Sequence, residues 1–195
     1  MAAYRKLIFQ STASGSKAVS LPVHATIELT QSYQLLFART LYRHLDGSAA
    51  VRQQWSGKLA TEITGRGLIP PGFSQLNFDA PMYVSCIQHR SVTSTGTAIT
   101  IPAARRTDVQ HPKKDGTLTT GSWYARAWDG DTYSTATGTT TTGAPNVVTI
   151  TLATGESHEH YEVIYLPKLT VYADRPTETY TQNDGWGWSL RAEEA

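Results

Sequence analysis

The sequence predicts an all-β chain, mainly antiparallel, built as a single β-sandwich or open barrel with long loop excursions and at most one short helix. Three observations predict it. Short runs rich in Thr, Val, Tyr and Trp recur along the 195 residues and are separated by turn residues. Several of these runs alternate apolar and polar side chains with period two. Regular helix signals are poor throughout.

Taken in order, residues 25–30 alternate, with Ile27 and Leu29 on one face and Thr26, Glu28 and Thr30 on the other. Residues 35–45 read as a long strand, a short helix being the alternative; Phe37, Arg39, Leu41 and Arg43 then share one face. Asp46-Gly47 is a hairpin signal, and residues 51–63 return antiparallel, with a helical turn as the alternative for 53–59. Residues 65–72 hold three glycines and two adjacent prolines, which predict irregular backbone and a compact loop through Phe73 and Leu76. Pro81 opens a strand over 82–92, and 98–101 form another. Residues 110–121 form a loop by composition. Trp123 and Trp128 bracket a strand. The Thr-rich stretch 131–143 has no apolar period and predicts either a loop or an extended arm, the excursion reaching to 146. Strands follow at 147–152, 161–166 and 168–172, with Pro167 at a bulge or edge. The last strand, near 185–192, places Trp186, Trp188 and Leu190 on one face. No repeat and no linker divides the chain, so 1–195 reads as one domain.

Charged residues are 17% of the chain, against about 25% in an average soluble protein. Thr, Ser, Gly and Gln make up the deficit. Such a polar, weakly charged surface suits a protein covered by its neighbours, and equally an ordinary Thr-rich β-protein. The net charge of +1 is scattered, with no basic stripe for nucleic acid. The pairs Arg105-Arg106 and Lys113-Lys114 read as solvated loop residues. Residues 1–9 lack the apolar core of a secretion signal, and no run approaches the ~18–20 apolar residues of a membrane span. The expectation is a soluble chain made in a cytoplasm.

Chemical motifs are sparse. Cys86 stands alone, so no intramolecular disulfide or cysteine-based zinc site forms, and it reads as a buried structural thiol. His158 and His160 have the i, i+2 spacing of two ligands on one strand face, with Glu156 or Glu162 as possible companions; zinc wants three or four ligands, and exposed polar residues at a strand entrance are the plainer reading. His24, His44, His89 and His111 match no ligand spacing. Asp129-Gly130-Asp131 opens like a calcium loop but lacks the remaining ligands, so a turn is the better reading. Phosphate-loop, dinucleotide and nucleophile-elbow motifs are missing. The reading is therefore non-enzymatic, with no cofactor. Trp123, Trp128, Trp186 and Trp188 are expected as core or subunit-interface anchors.

Residues 39–73 can also be read as a whole. A hydrophobic strand leads to the Asp46-Gly47 turn, then to Gln53 and Trp55, to Ile63, Gly65 and Gly67 at alternate positions, and to Pro70-Pro71-Gly72. This order, the segment 78–87 and the last residues from Gly187 resemble minor tail proteins of long-tailed bacteriophages. The likeness covers roughly 35–92 and the C-terminus; the Thr-rich segment has no counterpart. Size and β-content look most like the distal-tail or tail-tip type. The resemblance implies a virion protein of the tail, assembled as a homo-oligomeric ring, a hexamer among the options. It also implies neighbours in the tail tube, the tape-measure protein and the tip or hub proteins, and no catalytic residues. A tail-tube, tail-terminator or head-decoration subunit is a second structural reading. A carbohydrate- or receptor-binding β-sandwich is the alternative of another class.

Overall fold

The computed structural model describes residues 6–12, 18–109, 123–130, 132–141, 144–151 and 157–195, with backbone alone at 132–141, 144 and 145. The protein is all-β and almost entirely antiparallel, and among the described residues its helical content is limited to 3-10 turns at Val23–Ala25 and Phe73–Gln75. The chain divides into two compact units, residues 1–84 with 170–195, and residues 85–169. The sequence draws no boundary there because the divisions fall inside the strands Met82–Ser85 and Lys168–Ala173, with no linker composition at either.

The strands, in chain order, are β1 (Ile8–Ser11), β2 (Val19–Ser20), β3 (Glu28–Arg43), β4 (Ala49–Gly67), β5 (Met82–Ser85), β6 (Arg90–Ser94) and β7 (Ala98–Thr100). They continue with β8 (Trp123–Asp129), β9 (Thr132–Thr141), β10 (Ala144–Thr151), β11 (His160–Tyr165), β12 (Lys168–Ala173), β13 (Thr177–Thr181) and β14 (Gly185–Glu194).

Unit 1 is organised on an eight-stranded sheet of order β2-β1-β5-β12-β14-β4-β3, with β13 also paired to β14. Period-two alternation sends Ile63 of β4 and Trp188, Leu190 and Ala192 of β14 into its core, where they meet Phe9, Met82, Val84 and Val171. Each large side chain buried here stabilises the unit by about 1.5–3 kcal/mol. Gly72, at φ 77°, turns the chain after the two prolines and delivers Phe73 between two other rings. Its ring is edge-on to Phe9 at 6.1 Å and to Trp188 at 5.1 Å. The Trp188 indole N–H donates to the Ala25 carbonyl at 3.0 Å.

The irregular backbone expected from Gly65 does not begin there. Gly65 and Gly67 are the last turns of the pleat in β4, registered opposite Trp188 and Trp186. They are needed for close approach rather than for turning. A Cβ at Gly65 would enter the Trp188 indole, and one at Gly67 would meet the backbone of His24 and Ala25.

Unit 2 holds the six-stranded sheet β6-β11-β8-β9-β10-β7. In a flat sheet its edge strands β6 and β7 would lie five spacings apart, about 24 Å. They are joined by Thr95, Gly96 and Thr97 alone, whose four Cα steps reach about 14 Å. The sheet must therefore curl. Its inner face gathers Ile99, Ala125, Ala127, Val148, Ile150, Tyr161, Val163 and Tyr165 into one cluster, with Val92 and Trp123 against it.

Two expectations are corrected here. The Thr-rich stretch is neither a loop nor an arm: 132–141 is strand β9, paired on both sides, to β8 and β10. Threonine is β-branched and favours the extended chain, so pairing on two edges makes a strand without apolar alternation. Ser134, Ala136 and Gly138 register opposite Ala127, Ala125 and Ile150. The strand expected over 82–92 breaks after Ser85, where the chain passes from unit 1 into unit 2. Within unit 2, the Cys86 amide bonds to the Pro167 carbonyl at 3.0 Å and its own carbonyl accepts from Arg106. The loop expected at 110–121 lies outside the described residues.

Candidate functional site

The 35–63 hairpin forms as the sequence predicts, and it is longer than the sheet that carries it. Its ladder runs from Glu28 opposite Arg66 to Arg43 opposite Ala49, while β14 pairs with β4 only from Ala60, opposite Glu193, to Gly67, opposite Trp186. Beyond that point, among the described residues, no further strand flanks the ribbon. Residues 35–58 thus project as a two-stranded arm.

Alternation continues into the arm without a core to meet it. Leu35, Phe37, Arg39, Leu41 and Arg43 share one face, with Val51 opposite Leu41. Tyr42 and Trp55 belong to the other, where Trp55 is opposite Ala38. Leu41 is 61% exposed and Trp55 45%, and Leu35, Phe37, Tyr42, Leu45 and Val51 are exposed as well. Scattered apolar residues on a surface are ordinary, but a contiguous set like this one marks an interaction surface. Arg39 lies over the Phe37 ring at 4.7 Å.

The arm is also basic. It holds Arg39, Arg43, Arg52 and Lys58 against Asp46, which is +4 − 1 = +3. The whole chain carries +1, so the remainder carries 1 − 3 = −2. Two register shifts interrupt β4, where Gly57 and Gln54 are the extra residues. Gly57 adopts φ 85°, as such a bulge requires. Both extra residues are in β4, so its edge is blunted against strand addition. At the tip, Asp46 Oδ1 accepts from the Ser48 hydroxyl at 2.7 Å and the Ser48 amide at 2.9 Å. Those two bonds, the hydroxyl's first, hold the Asp46 carboxyl below its ordinary value of 3.8.

The histidine pair falls elsewhere, at one end of β8 and β11 in unit 2. His158 Nδ1 meets Asp129 Oδ2 at 2.8 Å, and the Glu159 amide donates to Asp129 Oδ1 at 2.7 Å. These bonds, the amide's first, lower the Asp129 pKa. His160 is registered opposite Trp128 and stacks edge-on to it at 5.1 Å. The two histidines thus engage different partners, and no group of three or more metal-ligating side chains occurs among the described residues. Glu156 and Asp131 lie outside them. The arrangement fixes the His158 ring and clasps the strand ends.

Of the four tryptophans singled out by the sequence, Trp188 is buried in unit 1 and Trp186 is half-buried against Tyr180 at 5.3 Å. Trp123 and Trp128 are half-buried in unit 2. Trp55, exposed on the arm, was not among the four; it lies opposite Ala38, on the reverse face from Phe37, Arg39, Leu41 and Arg43.

Arg106 is a further correction to the sequence reading. Rather than lying in a solvated turn, it is 2% exposed. Its Nε and Nη2 donate to the two Asp108 carboxylate oxygens at 3.0 and 2.7 Å, and Nη1 donates to the Cys86 carbonyl at 3.0 Å. A buried guanidinium is tolerated when its fork of donors is met in this way. The Arg106 side chain holds the Asp108 carboxyl below its ordinary range. Lys113-Lys114 lies outside the described residues.

No helix among the described residues is long and apolar enough to cross a membrane. In comparison with known proteins, no family model and no curated protein matches the chain.

Proposed function

We propose that this chain is a structural virion protein of a bacteriophage tail, a distal-tail or tail-tip ring subunit that joins the tail tube to the tip complex. The observation that carries the assembly part of the reading is the arm at 35–58. Its exposed Phe37, Leu41, Tyr42, Val51 and Trp55 are interleaved with three arginines, the composition of surfaces that other proteins cover. A monomer gains nothing from holding these side chains in water. A subunit gains an anchor that reaches past its own sheet. The tail part of the reading rests on the sequence resemblance, and the arm lies inside the segment that carries it.

Gold-labelled antibody against the purified chain, applied to intact phage particles, tests the reading. Label confined to the far end of the tail is the expected result. Label along the tail would make the chain a tube subunit, and label on heads a decoration protein. Particles that never contain the chain would overturn the tail reading altogether.

A further inference from the structure

Unit 1 has a second exposed apolar surface, at the other end of the same ladder. Gly67 is its centre. Leu68, which follows, is 70% exposed and donates its amide to the His24 carbonyl at 2.7 Å, beside exposed Val23. Gly67 registers with Trp186, and Trp186 with Tyr180, which is 61% exposed. Exposed Ile27 directly precedes Glu28, the residue paired with Arg66. This base patch therefore runs as a row across four strands, about 14 Å from Ile27 to Tyr180, with Val23 and Leu68 at its middle.

Its charge is opposite to that of the arm. Exposed Glu178 is on the Tyr180 face, exposed Glu28 is at the same end of the ladder on the reverse face from Ile27, and Asp184 is paired with Arg66 at 2.6 Å. Three carboxylates against one guanidinium give 1 − 3 = −2, where the arm carries +3.

From Glu28 to Leu41 the ladder rises through 13 residue steps, about 43 Å at 3.3 Å each. A continuous ladder of that length keeps the arm away from its own base. Two different patches, both apolar, opposite in charge and held apart along one hairpin, are the requirements of a head-to-tail contact. A two-fold contact of arm on arm would instead bring Arg39, Arg43 and Arg52 against their own copies.

We infer that the arm of one copy docks on the base patch of a second copy of this chain, so that assembly is heterologous and propagates to a ring or a helix. The inference rests on the assembly reading above and specifies its two surfaces. The contact is made by the arm's Leu41 face, where Arg39 and Arg43 flank Leu41, the β4 edge being blunted by its bulges.

The test places the photoreactive amino acid p-benzoylphenylalanine at position 41 of the full-length chain. Irradiation of concentrated protein is expected to give a dimer on a denaturing gel, joined from residue 41 to a peptide containing Val23, Leu68 or Tyr180. The pair Arg39→Glu and Arg43→Glu should lower adduct yield about tenfold. Adding Glu28→Lys and Glu178→Lys to the same chain should restore it, with circular dichroism checking that each variant folds. Adducts joining arm to arm, or arm to unit 2, would overturn the head-to-tail pairing while leaving assembly intact. Adducts only to a different virion protein, seen with the probe in phage particles, would overturn the second copy as occupant and leave the tail reading standing. No adduct in either setting would overturn both.

Discussion

The two halves of one hairpin teach most about this protein. Near its base, β3 and β4 have β14 alongside and the ring chain Phe9, Phe73 and Trp188 above them, and the odd-numbered side chains of β4 from Thr61 to Gly67 are buried. Beyond Leu59 the same two strands, still paired and still alternating, bury almost nothing. Local chemistry does not separate the halves. Leu41 and Ile63 are equally good strand residues, yet one is in water and the other has no exposure. What differs is whether a third strand and a packed layer are present. The base is thus a folding element, and the arm is surface that folding leaves for another molecule.

The largest test of that contrast is Trp188→Ala. It removes the buried ring that packs edge-on to Phe73 and should cost about 3–5 kcal/mol of unfolding free energy, read from chemical denaturation. An effect below 1 kcal/mol would mean that the base is not the packed half. Next comes Gly67→Ala, whose new methyl meets backbone at His24 and Ala25 and should cost about 1–3 kcal/mol. The matched change in the arm, Gly57→Ala, meets nothing within 4 Å and suffers only its positive φ, about 1 kcal/mol, confined to the arm. Equal losses at the two glycines would erase the distinction drawn here. Smaller again, Leu41→Ser should leave the unfolding midpoint within the ~0.5 kcal/mol typical of surface changes while weakening self-association in sedimentation. Loss of folding in that variant would place Leu41 in a core.

Acid provides the finest probe. The Asp46 carboxyl has its pKa lowered in the folded turn. Its contribution is whole at pH values above 3.8, erodes as pH falls below that, and is gone once pH passes the folded value. Nuclear magnetic resonance should show the Ser48 amide shifting only below pH 3.8, with the β4–β14 ladder unchanged over that step. An amide that titrates above 3.8 would contradict the bonded turn.

Much of this architecture was legible in residues. The Asp46-Gly47 turn and the alternation on either side of it specify the β3–β4 hairpin, because a two-residue turn and a period of two are local properties. Val147, Ile150 and their neighbours, and the Tyr161 to Leu166 run, announced two further strands in the same way. The arm's chemistry was present too, in Phe37, Arg39, Leu41 and Arg43 on one face. Its exposure was not, since the same pattern marks a half-buried strand.

Four features depended on contacts distant in sequence. Gly65 and Gly67 look like loop residues until Trp188, more than a hundred positions later, lies against the first and the His24–Ala25 backbone against the second. The threonines of 132–141 lack any apolar stripe, and only flanking β8 and β10 make them a central strand. Arg106 becomes a buried cation because Asp108, Ser85 and Cys86 supply acceptors around it. The chain's division at Val84 and Thr170 is a matter of which strands pair. Backbone preference and alternation are set within a few residues, so the sequence by itself determined that this protein would be antiparallel β and where its main hairpin turns. Burial is set by what arrives from elsewhere in the chain, so only the tertiary structure decided which half of that hairpin became core and which remained a surface.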